Sequence, residues 1–111
     1  MIRIPSIVED GFSLELVNDS NPPTVAFKGT GDSQAVEPLN RFLSSLHDRM
    51  RVAQTRQVNV DLTDLYFMNS SCLKSFISWI HQARTDGAKY RICLQVNSRL
   101  AWQKRSLATG P

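Results

Sequence analysis

The stretch VNVDLTDLYFMNSSCLKSFISWI, residues 58–80, decides the fold of this 111-residue chain. It opens with Val58, Val60 and Leu62 at alternate positions, which is the two-residue period of a β-strand. A turn at residues 63–64 and a second apolar run at residues 65–68 follow as a connector. The segment then predicts an amphipathic helix, because apolar residues recur at steps of three and four, namely Leu73, Phe76, Ile77 and Ile80.

The residues before this stretch predict a hairpin followed by a long helix. Two runs within residues 12–28 alternate apolar and polar side chains around a loop rich in Asn, Asp, Ser and Pro, which predicts antiparallel strands. An apolar stripe over residues 34–54 then predicts a helix, with Asp32 or Ser33 as its N-cap. Because a whole helix joins the hairpin to the strand at residues 58–62, those neighbouring strands are expected to pair in parallel.

The residues after the stretch predict the rest of the sheet. The second helix is expected over residues 70–84, with Gly87 as the cap that ends it. Alternating apolar residues predict a strand at 90–96, and a short helix is expected at 98–107. We therefore predict one α/β domain over residues 1–111, with a single mixed sheet of about four strands and helices packed on one face.

Composition limits the class of protein. The chain is 41% hydrophobic, and no apolar run approaches the roughly 18 residues that cross a bilayer. The N-terminus lacks the apolar region of a secretory signal. Because Cys72 and Cys93 lie in different predicted elements and form no disulfide framework, we expect a reducing, cytoplasmic location. A disulfide between these two residues is the alternative.

The net charge of +3 is unevenly distributed, because residues 56–111 carry most of the basic side chains. The interpretation that we favour is a solvated surface, since no dense basic run with interleaved aromatic residues occurs. Nucleic-acid binding is a weaker hypothesis, and it would use four basic side chains: Arg91, Arg99, Lys104 and Arg105. No nucleic-acid partner is therefore expected.

The side chains that could support catalysis are too scattered to predict an enzyme. His47 and His81 lie on different predicted helices, and neither has a second metal ligand at a usual spacing. A Ser70–His81–Asp61 triad is rejected, because Ser70 lacks a nucleophile elbow and His81 would lie about 16 Å farther along the helix. The run at residues 29–31 lacks the Lys of a phosphate-binding loop. We predict no catalytic residue, no metal site and no cofactor.

Ser70 and Ser71 lie at the predicted start of the second helix, where two compatible roles arise. In the first role, Asn69 or Ser70 accepts a hydrogen bond from an early backbone N–H, a cap that contributes about 1 kcal/mol. In the second role, a serine carries a phosphoryl group, which the unpaired N–H groups and the positive end of the helix dipole stabilise. A phosphate would add about −1.5 to −2 charges to a docking surface there.

The same stretch resembles a known family. The motif of the STAS domain of bacterial anti-sigma factor antagonists is matched in order by Asp61-Leu62, Leu65, Phe67-Met68, Ser70-Ser71 and Leu73. The order of predicted elements over residues 12–107 is also similar. The resemblance implies a non-enzymatic regulator of transcription that works by partner switching. The unphosphorylated form would bind a kinase or anti-sigma factor, phosphorylation of a serine would release it, and a phosphatase would restore it.

By position, the resemblance makes Ser70 the phosphoacceptor, with Ser71 as the alternative, in a switch segment at residues 66–71. A docking surface is expected at the helix start and at the loop after the hairpin. Its expected residues are Asn69, Ser70, Ser71, Cys72, Lys74, Ser75, Gly29, Thr30 and Asp32. Two of these positions depart from the family motif, which usually has Asp at position 69 and Gly at position 72.

Two functional hypotheses follow from the resemblance. The first is a phosphorylation-controlled signal transduction protein that binds a serine kinase or anti-sigma factor and a PP2C-type phosphatase. The second is a constitutive STAS-type adaptor subunit of a transporter or signalling assembly, in which Asn69 and Cys72 mark the loss of the switch. A homodimer is compatible with either hypothesis.

Overall fold

A computed structural model describes residues 7–9, 11–18, 22–53, 55–85 and 90–103. Within these ranges lie six strands and two long helices, with a one-turn 3-10 helix, Ser33–Ala35, before the first helix. In chain order they are β1 (Ile7–Glu9), β2 (Phe12–Asn18), β3 (Thr24–Gly31), α1 (Val36–Ala53), β4 (Gln57–Asp61), β5 (Leu65–Met68), α2 (Ser70–Thr85) and β6 (Arg91–Gln95). Residues 101–103 are also helical.

The six strands form one mixed sheet in the order β1-β2-β3-β4-β6, with β5 beside the end of β3. The β1–β2 and β2–β3 pairs are antiparallel, whereas β3–β4, β3–β5 and β4–β6 are parallel. The α/β class and the parallel pairing across the first long crossover are therefore confirmed. No helix among the described residues is long and apolar enough to cross a membrane.

The sheet has two strands more than the four that the sequence predicts. β1 is only three residues long, and β5 occupies most of the segment that was expected to be a connector. The side chains of β5 run buried, exposed, exposed, buried from Leu65 to Met68, so no two-residue period marks this strand in the sequence. The predicted Gly87 cap and residues 104–107 lie outside the described residues. Of the helix predicted at 98–107, residues 98 and 99 form a turn instead, and the helical residues begin at 101.

The two long helices pack on one face of the sheet, as predicted, and Phe27 of β3 lies between them. Its ring meets Phe42 of α1 and Phe76 of α2 edge to face, with centroid distances of 6.0 and 5.5 Å. On the other face of the sheet, most side chains are polar and only partly buried or exposed, as at Ser13 and Lys28, although Ala26 on this face is buried. The core therefore lies between the sheet and one helical layer.

A buried glutamine holds β5 in place from outside the sheet. Gln103 is 1% exposed, and its Nε2 atom donates to the carbonyl oxygens of Leu62 at 2.7 Å and Leu65 at 2.9 Å. Its Oε1 atom accepts a hydrogen bond from Asn97 N at 2.8 Å. These two carbonyl groups lie at the ends of the turn between β4 and β5. Gln103 therefore fixes the turn by which the chain passes from β4 to β5.

A second buried polar group involves His47, which is 7% exposed. Its Nδ1 atom lies 2.7 Å from Tyr90 Oη, which also accepts a hydrogen bond from Trp79 Nε1 at 2.7 Å. The Tyr90 hydroxyl thus joins α1 to α2 inside the core.

Replacing Tyr90 with Phe is expected to lower the free energy of unfolding by about 1–3 kcal/mol, because the buried Trp79 Nε1–H loses its acceptor. Chemical denaturation measures the change. Tyr66→Phe is the matched control, since Tyr66 is 59% exposed and its loss of a hydroxyl should change stability by less than about 0.5 kcal/mol. Equal effects of the two substitutions would contradict the buried hydrogen bonds of Tyr90.

Candidate functional site

The start of α2 is built around Asn69, which joins the helix to the sheet. The Asn69 N–H donates to the carbonyl of Gly31 at 2.8 Å. Its carbonyl accepts the first helical hydrogen bond from Leu73 N at 2.9 Å, and its Oδ1 atom accepts from Cys72 N at 2.9 Å. Asn69 is therefore the N-cap, and of the two residues that the sequence left open for this role, Ser70 is not used.

Ser70 and Ser71 are the first two residues of α2, and both are exposed. Neither hydroxyl forms a hydrogen bond to any residue that the structure describes. Because Asn69 occupies the N–H of Cys72, the backbone N–H groups of Ser70 and Ser71 are the helix donors left to meet an incoming group. Both hydroxyls therefore stand in solvent at the positive end of the helix dipole.

Cys72 is 0% exposed, so its side chain cannot belong to the docking surface in which the sequence placed it. Position 72 is the third residue of α2 and faces the sheet, where the Cys72 thiol donates to the carbonyl of Asp32 at 3.3 Å. Burial raises the pKa of the Cys72 thiol above its ordinary value of 9.0, and the carboxylate of Asp32 raises that pKa further. Cys72 therefore stays a neutral thiol that packs the helix against the sheet.

The loop at the end of β3 lies against the start of α2, as the predicted site requires. A Cβ atom on Gly31 would lie 3.5 Å from the Cys72 sulfur, an ordinary van der Waals distance, so the thiol packs directly beside the backbone of Gly31. Asp32 is exposed, and its Oδ1 atom accepts from Gln34 N at 3.0 Å to cap the 3-10 turn. Thr30 is exposed in the same loop.

Gly29 has a structural reason to be glycine. Its φ is +93°, and a Cβ atom at this position would lie 1.9 Å from the carbonyl oxygen of Gly11. The backbone here is hydrogen-bonded to a segment on each side. Gly29 N donates to Asp64 O, before β5, at 2.9 Å, and Thr30 N donates to Gly11 O, before β2, at 2.8 Å. Gly29 thus shapes the loop, whereas Thr30 and Asp32 supply its exposed side chains.

Lys74 and Ser75 lie one turn farther along α2. Lys74 is exposed, and the half-buried Ser75 donates its hydroxyl proton to the carbonyl of Ser71 at 3.3 Å. Both residues line an open groove of about 440 Å³ between α1 and α2, together with Asn40 and Ser44 of α1. Most of the side chains that line the groove are polar, and Leu43 and Trp79 form its apolar part.

The sequence missed an exposed aromatic pair beside the site. Tyr66 and Phe67 of β5 are 59% and 49% exposed, in the run that the sequence assigned to a connector. The Phe67 ring packs edge to face against Trp102, with ring centroids 6.2 Å apart. A break in the alternation of β5 puts two aromatic residues in succession at the surface, and no periodic signal in the sequence marks it.

Among the described residues there is no group of three His, Cys, Asp or Glu side chains that could hold a metal ion. The Asp61 carboxylate accepts hydrogen bonds from the N–H and the hydroxyl of Thr63, which closes the turn after β4. Both cysteines are free thiols, so the alternative of a disulfide is not realised.

Comparison with solved structures identifies the fold as that of a STAS domain. One match is the structure of the Bacillus cell fate determinant SpoIIAA in its phosphorylated form, with a TM-score of 0.55 and 20% identity over 85% of this chain and 80% of the other. Another is the STAS domain of an anti-sigma factor antagonist from Rhodobacter sphaeroides, with a TM-score of 0.49 and 22% identity over 75% of this chain and 84% of the other. No protein-family model matches the sequence, and a sequence search of curated proteins finds no match. The resemblance inferred from the motif is therefore confirmed at the level of the fold.

The roles of Asn69 and Ser70 can be separated by two single substitutions. Asn69→Ala is expected to lower the free energy of unfolding by about 1 kcal/mol, because Cys72 N loses its side-chain acceptor. Ser70→Ala should change stability by less than about 0.5 kcal/mol, because its exposed hydroxyl bonds to nothing described. Urea denaturation of both variants measures the difference. A larger loss of unfolding free energy for Ser70→Ala than for Asn69→Ala would mean that Ser70, and not Asn69, is the N-cap.

The buried thiol of Cys72 predicts a pH dependence of stability. The folded protein holds the thiol proton more tightly than the unfolded chain, so this contribution is complete below the ordinary pKa of 9.0 and falls as the pH rises above it. The difference in unfolding free energy between wild type and Cys72→Ala should therefore shrink at alkaline pH. Denaturation curves at several pH values test this, and a difference that stays constant across pH 9 would contradict it.

Proposed function

We propose that this chain is a regulator of the partner-switching type, similar to anti-sigma factor antagonists, and that phosphorylation of Ser70 controls it. One observation carries the proposal. Asn69 caps α2, so the Ser70 hydroxyl is exposed at the first helical position and serves no structural bond within the described chain. A kinase can therefore modify Ser70 without breaking a contact on which the fold depends.

The start of α2 would accommodate a phosphate on Ser70. The unpaired N–H groups of Ser70 and Ser71 and the positive end of the helix dipole both favour a negative group there. Lys74 is exposed four residues farther along the helix, which is the spacing at which side chains on one helix face meet. The modified helix would therefore remain folded, and the effect of the phosphate would fall on whatever docks against it.

The surface around Ser70 would change its character on phosphorylation. The side chains of Thr30, Asn69 and Ser71 are uncharged, and the exposed rings of Tyr66 and Phe67 lie on the strand that leads into the helix. Asp32 and Lys74 of the same surface are charged and exposed, and they can stay hydrated, whereas a partner can bury the uncharged side chains at low desolvation cost. A phosphate adds about −1.5 to −2 charges, which a partner without a matching cation cannot bury. Phosphorylation would thus release the partner.

The two departures from the family motif are compatible with this proposal. Asn69 caps α2 through the same kind of oxygen acceptor that an Asp would supply, although without its charge. Cys72 points inward beside Gly31, so its side chain leaves the outer surface of the helix unchanged. The partner would be a cytoplasmic serine kinase or anti-sigma factor, and a PP2C-type phosphatase would remove the phosphate.

The proposal predicts that charge at position 70 selects the bound protein. Affinity purification from the source cell with wild type and Ser70→Ala should recover the same partner, whereas Ser70→Asp should lose it, because its carboxylate would be buried unpaired. Ser78→Asp is the matched control, because this substitution adds the same charge at an exposed position two turns farther along α2. Peptide mapping by mass spectrometry after treatment with the recovered kinase should place the phosphate on Ser70 rather than Ser71.

Equal recovery of one partner by wild type, Ser70→Ala and Ser70→Asp, with no phosphate on Ser70 or Ser71, would contradict the switch. That result, with transporter or scaffold proteins as the recovered partners, would favour the constitutive adaptor. Loss of the partner with Ser78→Asp as well as Ser70→Asp would mean that any added charge on α2 blocks docking, and it would move the proposed surface away from Ser70.

A further inference from the structure

Strand β6 forms one edge of the sheet. It pairs with β4 in five consecutive parallel positions, from Gln57–Arg91 to Asp61–Gln95, without a bulge. No described residue pairs with its other side. Natural sheets protect such edges with Pro, Lys, bulges or covering segments, and the three central residues of β6, Ile92–Leu94, contain neither Pro nor a charge.

The hydrogen bonds to β4 fix which backbone groups of β6 point outward. Arg91 N donates to Arg56 O at 2.7 Å, and Gln95 O accepts from Leu62 N at 2.8 Å, so both residues turn their backbone groups toward β4. Because this direction alternates along a strand, Cys93 also faces β4, and the N–H and C=O groups of Ile92 and Leu94 point away from the sheet. These outward groups are the ones that a further strand would bind.

We propose that two copies of this chain associate through their β6 strands, antiparallel, with Cys93 of one copy opposite Cys93 of the other. In this register Ile92 of each copy lies opposite Leu94 of the other, and each such pair exchanges two backbone hydrogen bonds. This is the antiparallel register that pairs all five residues of β6 and uses every outward group of Ile92 and Leu94. A strand that is complementary to itself in this way favours a second copy over an unrelated partner.

The side chains of β6 are also complementary to themselves. On the helical face, Ile92 and Leu94 are only partly buried against the core of their own copy, and they would cover each other across the interface. On the polar face, Arg91 would lie opposite the uncharged Gln95, so no like charges meet. Cys93 lies on the two-fold axis, next to its β4 neighbour Asn59.

The register can be tested by oxidation of Cys93. Opposite residues at this position form a non-hydrogen-bonded pair with Cα atoms about 4.5 Å apart, within the range of a disulfide. Diamide accepts the two protons and two electrons that two thiols release, and it should convert wild type to a covalent dimer on a non-reducing gel. Cys93→Ser should stay monomeric on the gel, whereas Cys72→Ala should still cross-link because Cys72 is buried. Absence of a cross-link in both proteins that retain Cys93, wild type and Cys72→Ala, would overturn the register.

Sedimentation tests the association without relying on the thiol. Wild type should change from monomer to dimer as its concentration rises, and Cys93→Lys should raise the dissociation constant about tenfold because two ammonium groups would face each other. Asn59→Lys is the matched control, since it adds the same charge on the same face one strand farther in. Circular dichroism checks that all three proteins are folded. A wild type that stays monomeric throughout, or a Cys93→Lys protein that dimerises equally well, would overturn the proposal.

Discussion

The hydrogen bonds of Asn69 are the interaction on which the candidate site depends. Its backbone N–H binds the end of β3, its carbonyl begins α2, and its side chain caps that helix. One residue therefore ties the end of an interior strand to a helix terminus, and it leaves the hydroxyl of the next residue, Ser70, without a hydrogen bond to any described residue. If Ser70 were the cap, its oxygen would be engaged with the backbone, and phosphorylation would compete with the fold. The division of roles between the two neighbours removes that conflict.

Contacts on two sides of Asn69 hold this junction in place. Below it, the neutral Cys72 thiol fills the space beside Gly31 and reaches the carbonyl of Asp32. Before it, β5 is held on one side by β3 and on the other by the side-chain amide of Gln103. Neither support lies at the solvent-facing surface of the helix start. A partner would thus meet a preformed surface and would need to order little of it on binding.

The sheet edge at β6 and the helix start use different parts of the molecule. The proposed docking surface is made by the loop after β3 and the first turn of α2, whereas the proposed self-association uses the outer backbone of the last strand. Binding at the helix start is controlled by the desolvation of charge, and pairing at the strand edge is controlled by backbone hydrogen bonds and apolar cover. The two proposals can therefore succeed or fail independently of each other.

Much of the fold could be predicted from the sequence, because the helices and most strands bury one face and so carry a periodic apolar pattern. β5 could not be predicted, since its alternation is broken and only its pairing with β3 makes it a strand. For the site, the sequence located the helix start and the two serines. It could not decide whether Asn69 or Ser70 is the cap, because both residue types suit that position equally well.

The sequence by itself determined the α/β class, the long crossover that makes β3 and β4 parallel, and the place of the serines at a helix N-terminus, because these follow from local periodicity and capping chemistry. Only the tertiary structure decided that Cys72 faces the core, that Tyr66 and Phe67 face solvent, and that His47 is buried with Tyr90. Each of these depends on which face of its helix or strand meets the rest of the molecule, and contacts between residues far apart in the chain decide that face.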